Sequence, residues 1–114
     1  MVLESTVVCV DSSDYMRNGD FEPTRLDAQH EAAKLIFDSK ARSNPGNNIA
    51  LLTLARIEIL ATLTTDVRHL VSKLNEIKPK GCIDFVTALR TARLVLRNRP
   101  DKFYKMRIVV FVGS

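Results

Sequence analysis

The sequence predicts an α/β protein of three layers, with a mainly parallel sheet between helices and one antiparallel strand at its edge. Three observations carry that prediction. Apolar runs of strand length recur at residues 6–10, 49–54 and 106–112 without polar alternation, the composition of strands covered on both faces. Segments of helical periodicity separate these runs, as in alternating βα architectures. Residues 56–62 instead alternate charged with apolar side chains and follow the second run too closely for a helical crossover. They pair antiparallel with it as a hairpin, and a half-exposed strand belongs at the sheet edge.

The first run turns abruptly polar at Asp11-Ser12-Ser13-Asp14-Tyr15. The carboxyl end of a buried parallel strand is where open α/β sheets place their sites. Asp11 and Ser13 form an Asp-x-Ser pair, hard oxygen ligands of the kind that start a divalent-cation site. Asn18-Gly19-Asp20 is turn chemistry, and Pro23-Thr24 opens a helix with Thr24 as N-cap and Asp27 in its first turn. Leu26, Ala28, Ala32, Leu35 and Ile36, with Ala33 beside them, recur at helical spacing and define its inner stripe. This helix ends near residues 39–42, before the turn-rich segment 43–48.

Thr65 or Asp66 caps the next helix, which runs to about Ile77 on an inner stripe of Val67, Leu70, Val71 and Leu74. Pro79-Lys80-Gly81 breaks the chain. A third helix spans about Asp84 to Asn98, with Phe85, Ala88, Leu89, Ala92 and Leu96 inward, Val95 alongside, and Arg90, Arg93 and Arg97 on the opposite face. The element order is therefore β-α-β-β-α-α-β. Right-handed crossovers put the first strand in the middle, the second and third to one side and the fourth to the other.

With 114 residues, 46% of them hydrophobic and 26% charged, the chain has the size and composition of one globular domain. Seven basic residues fall between Arg90 and Arg107, within a net charge of +4. Aromatic side chains are few, with only Phe103 and Tyr104 in that stretch, so nucleic acid is not an expected partner. An acidic protein surface facing Arg90, Arg93 and Arg97 is the alternative to simple solvation. No run approaches the roughly 20 apolar residues of a membrane span, and the N-terminal run is too short for a signal peptide. The two cysteines, Cys9 and Cys82, form no Cys-x-x-Cys pair, which argues against zinc and for an intracellular setting.

Catalysis finds no constellation. Ser13 with His30 or His69 lacks the neighbours of a nucleophilic triad, Asp14 and Asp84 read as loop and cap residues, and no glycine-rich phosphate loop follows the first strand. No enzyme activity and no cofactor are expected. Met16, Arg17 and Phe21 in one loop are a different signal, because an apolar–Arg–aromatic mixture is what interface anchors look like.

On these residues the chain resembles the von Willebrand factor type A domain, a Rossmann-like fold with Asp-x-Ser at the tip of its first strand. The segments Met1-Val2-Leu3-Glu4-Ser5-Thr6, Tyr15-Met16-Arg17-Asn18-Gly19-Asp20, Arg42-Ser43-Asn44-Pro45 and Val109-Val110-Phe111-Val112-Gly113-Ser114 look like the type A domains carried by proteasomal ubiquitin receptors. The family's cation site takes Asp-x-Ser-x-Ser, a Thr before a later helix and an Asp after the fourth strand. Asp11 and Ser13 match it; Tyr15, Ile83 and Gly113 stand at the other positions. The resemblance therefore implies a worn-down site without metal, reused for protein contact through Asp11, Ser13, Tyr15, Met16, Arg17 and Phe21.

It further implies a non-catalytic docking domain, cytoplasmic and nuclear, that seats a ubiquitin receptor in the proteasome regulatory particle and supports lid–base association. Ubiquitin itself would be bound only by segments absent from this chain. Charge reversal at Asp11 is expected to weaken docking and spare the fold. The alternatives are a cation-dependent ligand-binding type A domain and the type A domain of a transcription and repair complex. By the same resemblance, residues 1–114 are a truncated type A domain lacking its C-terminal strands and helices. Residues 108–112 would then leave an apolar strand edge bare and the chain prone to associate.

Overall fold

The computed structural model describes residues 3–11, 25–55, 58–77, 84–98 and 103–111, with the side chains of residues 25–27 left aside. Along the chain run β1 (Glu4–Val10), α1 (Arg25–Ser43), β2 (Asn48–Thr53), β3 (Ile59–Thr64), α2 (Val67–Asn75), α3 (Phe85–Arg97) and β4 (Lys105–Val110). The strands form one sheet in the order β3-β2-β1-β4. β1 pairs parallel with both β2 and β4, and β2 pairs antiparallel with β3. The topology is the expected one, with the hairpin strand at the edge.

β1 is the axis because its side chains suit a dry interior. Residues 5–10 are all buried, and the row Leu51–Val8–Val109 crosses the sheet in register. Side chains alternate between faces. Val8, Val10, Ile49 and Leu51 pack with Ala33 and Phe37 of α1 and with Leu70 and Leu74 of α2. Val7, Cys9, Ala50, Leu52 and Leu54 face the other way, onto Ala88, Ala92, Val95 and Leu96 of α3. Among the described residues, one face thus carries two helices and the other carries one.

The helix caps follow short-range chemistry. Asp66 is the N-cap of α2, its carboxylate accepting from the His69 N–H at 3.2 Å. Asp84 is the N-cap of α3, accepting from the Thr87 N–H at 3.1 Å and the Thr87 hydroxyl at 2.8 Å. Those bonds hold the Asp84 carboxyl below its ordinary value. The expected cap Thr24 lies outside the described residues.

Three packing expectations are corrected. The buried side of α1 is Gln29, Ala33 and Phe37, while Ala28 and Leu35 face solvent, Leu35 with 69% of its surface exposed. The expected stripe and the real one are offset by about one residue. Phe37 is a larger apolar group than either alanine, and Gln29 has a main-chain partner described below. On α3, Phe85 and Leu89 are exposed rather than inward, because the helix packs on β1, β2 and β3 and leaves its β4-facing flank open. β4 is not covered on both faces. Lys105, Met106 and Arg107 are exposed and Ile108, Val109 and Val110 half-buried, since among the described residues β4 pairs with β1 alone.

At the amino end of the strands, Glu4 ties three elements together. Its carboxylate accepts from Lys40 of α1 and lies 3.4 Å from Arg107 of β4. Its N–H donates to the side-chain oxygen of Asn47 at 2.8 Å, and the Asn47 amide donates to the Lys40 carbonyl at 3.0 Å. The Lys40 hydrogen bond leads in holding the Glu4 carboxyl below its ordinary value of 4.5, assisted by the charges of Lys40, Arg107 and Lys105.

Candidate functional site at the carboxyl end of the sheet

Strand order reverses beside β1, with β2 on one side and β4 on the other, which makes the carboxyl end of β1 the switch point of the sheet. Main-chain bonds converge there. Leu54 N–H donates to the Val10 carbonyl at 2.9 Å, Phe111 N–H to the Cys9 carbonyl at 2.9 Å, and Asp84 N–H to the Leu54 carbonyl at 3.1 Å. The last of these fixes the amino terminus of α3 to the end of β2.

Asp11 is the first residue past β1 and is fully buried. The Gln29 side chain holds it by both main-chain groups: Asp11 N–H donates to Gln29 Oε1 at 2.8 Å, and Gln29 Nε2 donates to the Asp11 carbonyl at 3.0 Å. A side-chain amide here does what a neighbouring strand would do, bonding both main-chain groups of a buried strand end. Gln29 was not among the expected site residues. Its signal was the spacing Gln29–Ala33–Phe37, one residue per turn on a single helix face.

The burial of Asp11 corrects one expectation. An arginine cannot enter a site with no exposed surface without disturbing the strand end, so charge reversal there does not spare the fold. Ser13, Tyr15, Met16, Arg17 and Phe21 lie outside the described residues, as do Ile83 and Gly113. The structure places the root of the expected contact loop, at Asp11, and leaves its remaining members unplaced.

Of the five positions matched to the family's cation site, only Asp11 lies among the described residues, and Gln29 engages its main chain. Among the described residues no group of three or more His, Cys, Asp or Glu side chains converges. Asp84 spends its carboxylate on capping α3. His69 sits exposed in the first turn of α2, and His30 is half-buried on α1. Cys9 lies under α3, where burial pushes its thiol up to about 11 and keeps it protonated and poorly nucleophilic.

Residues 6–114 match the von Willebrand factor type A domain family. The chain belongs to that family. Over its full length it is 53% identical to the 26S proteasome non-ATPase regulatory subunit 4 of Drosophila melanogaster, of which it covers 29%. It is 40% identical over its full length to the 26S proteasome regulatory subunit RPN10 of Saccharomyces cerevisiae, of which it covers 43%. The chain thus spans less than half of either relative. Among solved structures, the crystal structure of the SpRpn10 VWA domain superposes with a TM-score of 0.91 at 37% identity, covering 99% of this chain and 61% of that one. The α/β architecture is that of the type A domain.

Proposed function

We propose that this type A domain is a non-catalytic docking module of a proteasome regulatory subunit, working in ubiquitin-dependent protein degradation in cytoplasm and nucleus. The observation that carries the reading is identity along the entire chain, 53% and 40%, to relatives named as 26S proteasome regulatory subunits. The chemistry of the site supports it. A strand end whose Asp is buried and main-chain bonded, in a loop without a full oxygen donor set, is suited to presenting a polypeptide loop rather than to coordinating or reacting. In this reading the loop after Asp11, with Ser13, Tyr15, Met16, Arg17 and Phe21, contacts lid and base subunits of the regulatory particle. Gln29 anchors the loop at its root. Ubiquitin is left to other segments of the receptor.

The test is co-purification of 26S subunits on the tagged chain from cell lysate, read by mass spectrometry. The unaltered chain is expected to retain regulatory-particle subunits. Arg17→Glu and Met16→Asp should each reduce that recovery at least fivefold with unchanged circular dichroism. Equal recovery with both variants overturns the loop assignment, and absence of any proteasomal subunit with the unaltered chain overturns the function. Calorimetry with magnesium and manganese separates the cation-dependent alternative, which demands binding that is lost in Asp11→Asn.

A further inference from the structure

The flank of α3 that faces β4 combines an apolar trough with two cations. A groove of about 380 Å³ runs between the two elements, lined by Arg93, Leu96 and Arg97 of α3 and by Met106 and Ile108 of β4. Leu96 is buried, Ile108 half-buried and Met106 57% exposed, so the trough is apolar from floor to lip. Leu89, 41% exposed, lies one turn before Arg93 on the same side of the helix and lengthens the apolar strip. Arg93 and Arg97 are exposed and stand one helical turn apart. Among the described residues no ion pair engages either guanidinium.

These features select the occupant. Two guanidiniums on the lip of the groove call for carboxylates held about one helical turn apart. The same flank of a second copy would bring Arg93, Arg97 and Lys105 toward their own like charges, which disfavours self-pairing. Lys105 and Arg107 also mark β4 with charges of the kind that discourage an added strand. We propose that the groove receives an acidic amphipathic helix of a partner protein, laid along α3. Its aliphatic side chains cover Leu96, Met106 and Ile108, and two of its carboxylates pair with Arg93 and Arg97. A helix suits the site because its own i and i+4 positions repeat the spacing of the two arginines. Apolar burial supplies the affinity, and the arginine pair restricts the partner to acidic sequences. Every contact comes from α3 and β4. None of the residues assigned above to the loop after Asp11 takes part, so the two readings can fail independently.

The proposal is tested with the full 114-residue chain and a capped helical peptide, read by fluorescence anisotropy. The peptide has about 15 residues, with leucines at three- and four-residue spacing flanked by glutamates. It is expected to bind at least tenfold more tightly than the same peptide with lysines in place of the glutamates. A proline at its centre, which breaks the helix, should weaken it at least tenfold. Double reversal, Arg93→Glu with Arg97→Glu, should invert the preference in favour of the lysine peptide. Met106→Asp, inside the groove, should weaken binding at least tenfold, while Leu94→Asp, on the β3 side of α3, should leave it unchanged. All four residues are exposed, and circular dichroism confirms that each altered chain stays folded. Equal affinity for the glutamate and lysine peptides overturns the proposal. So does tolerance of the central proline, which would make the occupant extended, or unchanged binding in Met106→Asp. A self-association by sedimentation that the peptide cannot displace overturns it as well, in favour of a second copy.

Discussion

The sheet's two faces start from similar materials and end differently. Against Val8, Val10, Ile49 and Leu51 lie α1 and α2, with Phe37, Leu70 and Leu74 driven to complete burial. Against Val7, Cys9, Ala50 and Leu52 lies, among the described residues, α3 alone, with Phe85, Val86, Leu89 and Leu94 left exposed. Strands about 4.8 Å apart make a four-stranded face about 15 Å wide, and helices pack about 8–10 Å apart, so two helices fit such a face and one does not fill it. Grooves therefore flank α3 on both sides, one toward β3 and one of about 380 Å³ toward β4, lined by Arg93, Leu96, Arg97, Met106 and Ile108. Apolar composition predicts that a surface wants covering. It does not say how many elements the chain supplies to cover it.

Substitutions should separate the faces by size of effect, with urea denaturation as the common measure. Phe37→Ala, in the filled face, should cost about 3–5 kcal/mol, because a closed core cannot collapse into the space left. Leu96→Ala, beside an open groove, should fall nearer about 2 kcal/mol, since neighbours can relax toward the void. If it cost as much as Phe37→Ala, the α3 face would be as closed as the other and the contrast would fail. Removing the α2 cap by Asp66→Ala should cost about 1 kcal/mol. Met106→Ala, on a residue 57% exposed, should stay within about 0.5 kcal/mol.

Acid sharpens the comparison at the clasp that joins β1, α1 and β4. The Glu4 carboxyl titrates below its ordinary value of 4.5, so the ionised form is favoured in the folded chain. Its contribution is complete above that ordinary value and disappears as pH falls through the lowered one. The loss of stability between about pH 7 and about pH 3 should be smaller in Glu4→Gln than in the unaltered chain. An identical acid loss in the two would remove Glu4 from the account.

What could be read in advance was what short-range chemistry decides. The caps at Asp66 and Asp84 declared themselves in four-residue windows, and the brief gap between β2 and β3 dictated a hairpin. The facing of α1 was not legible from apolar spacing. Ala28, Ala32 and Leu35 compete with Ala33 and Phe37 for the inner face, and the contest is decided by a polar residue, Gln29, whose bonds go to the main chain of a distant strand. The Glu4–Lys40–Arg107 clasp joins residues from three elements, and no local window contains it. Asp11 was recognisable as a strand end because the polarity changes abruptly there. Its complete burial was not, because burial depends on what packs around the strand end rather than on the turn itself.

Cys9 gives this fold a built-in stopwatch. Its sulfur sits in the middle strand with no exposed surface, and its thiol is held protonated to about 11. A thiol reagent can reach it only after α3 lifts from the sheet face it covers. With Cys82 changed to alanine, the rate of labelling in native buffer becomes a count of how often that face is laid bare.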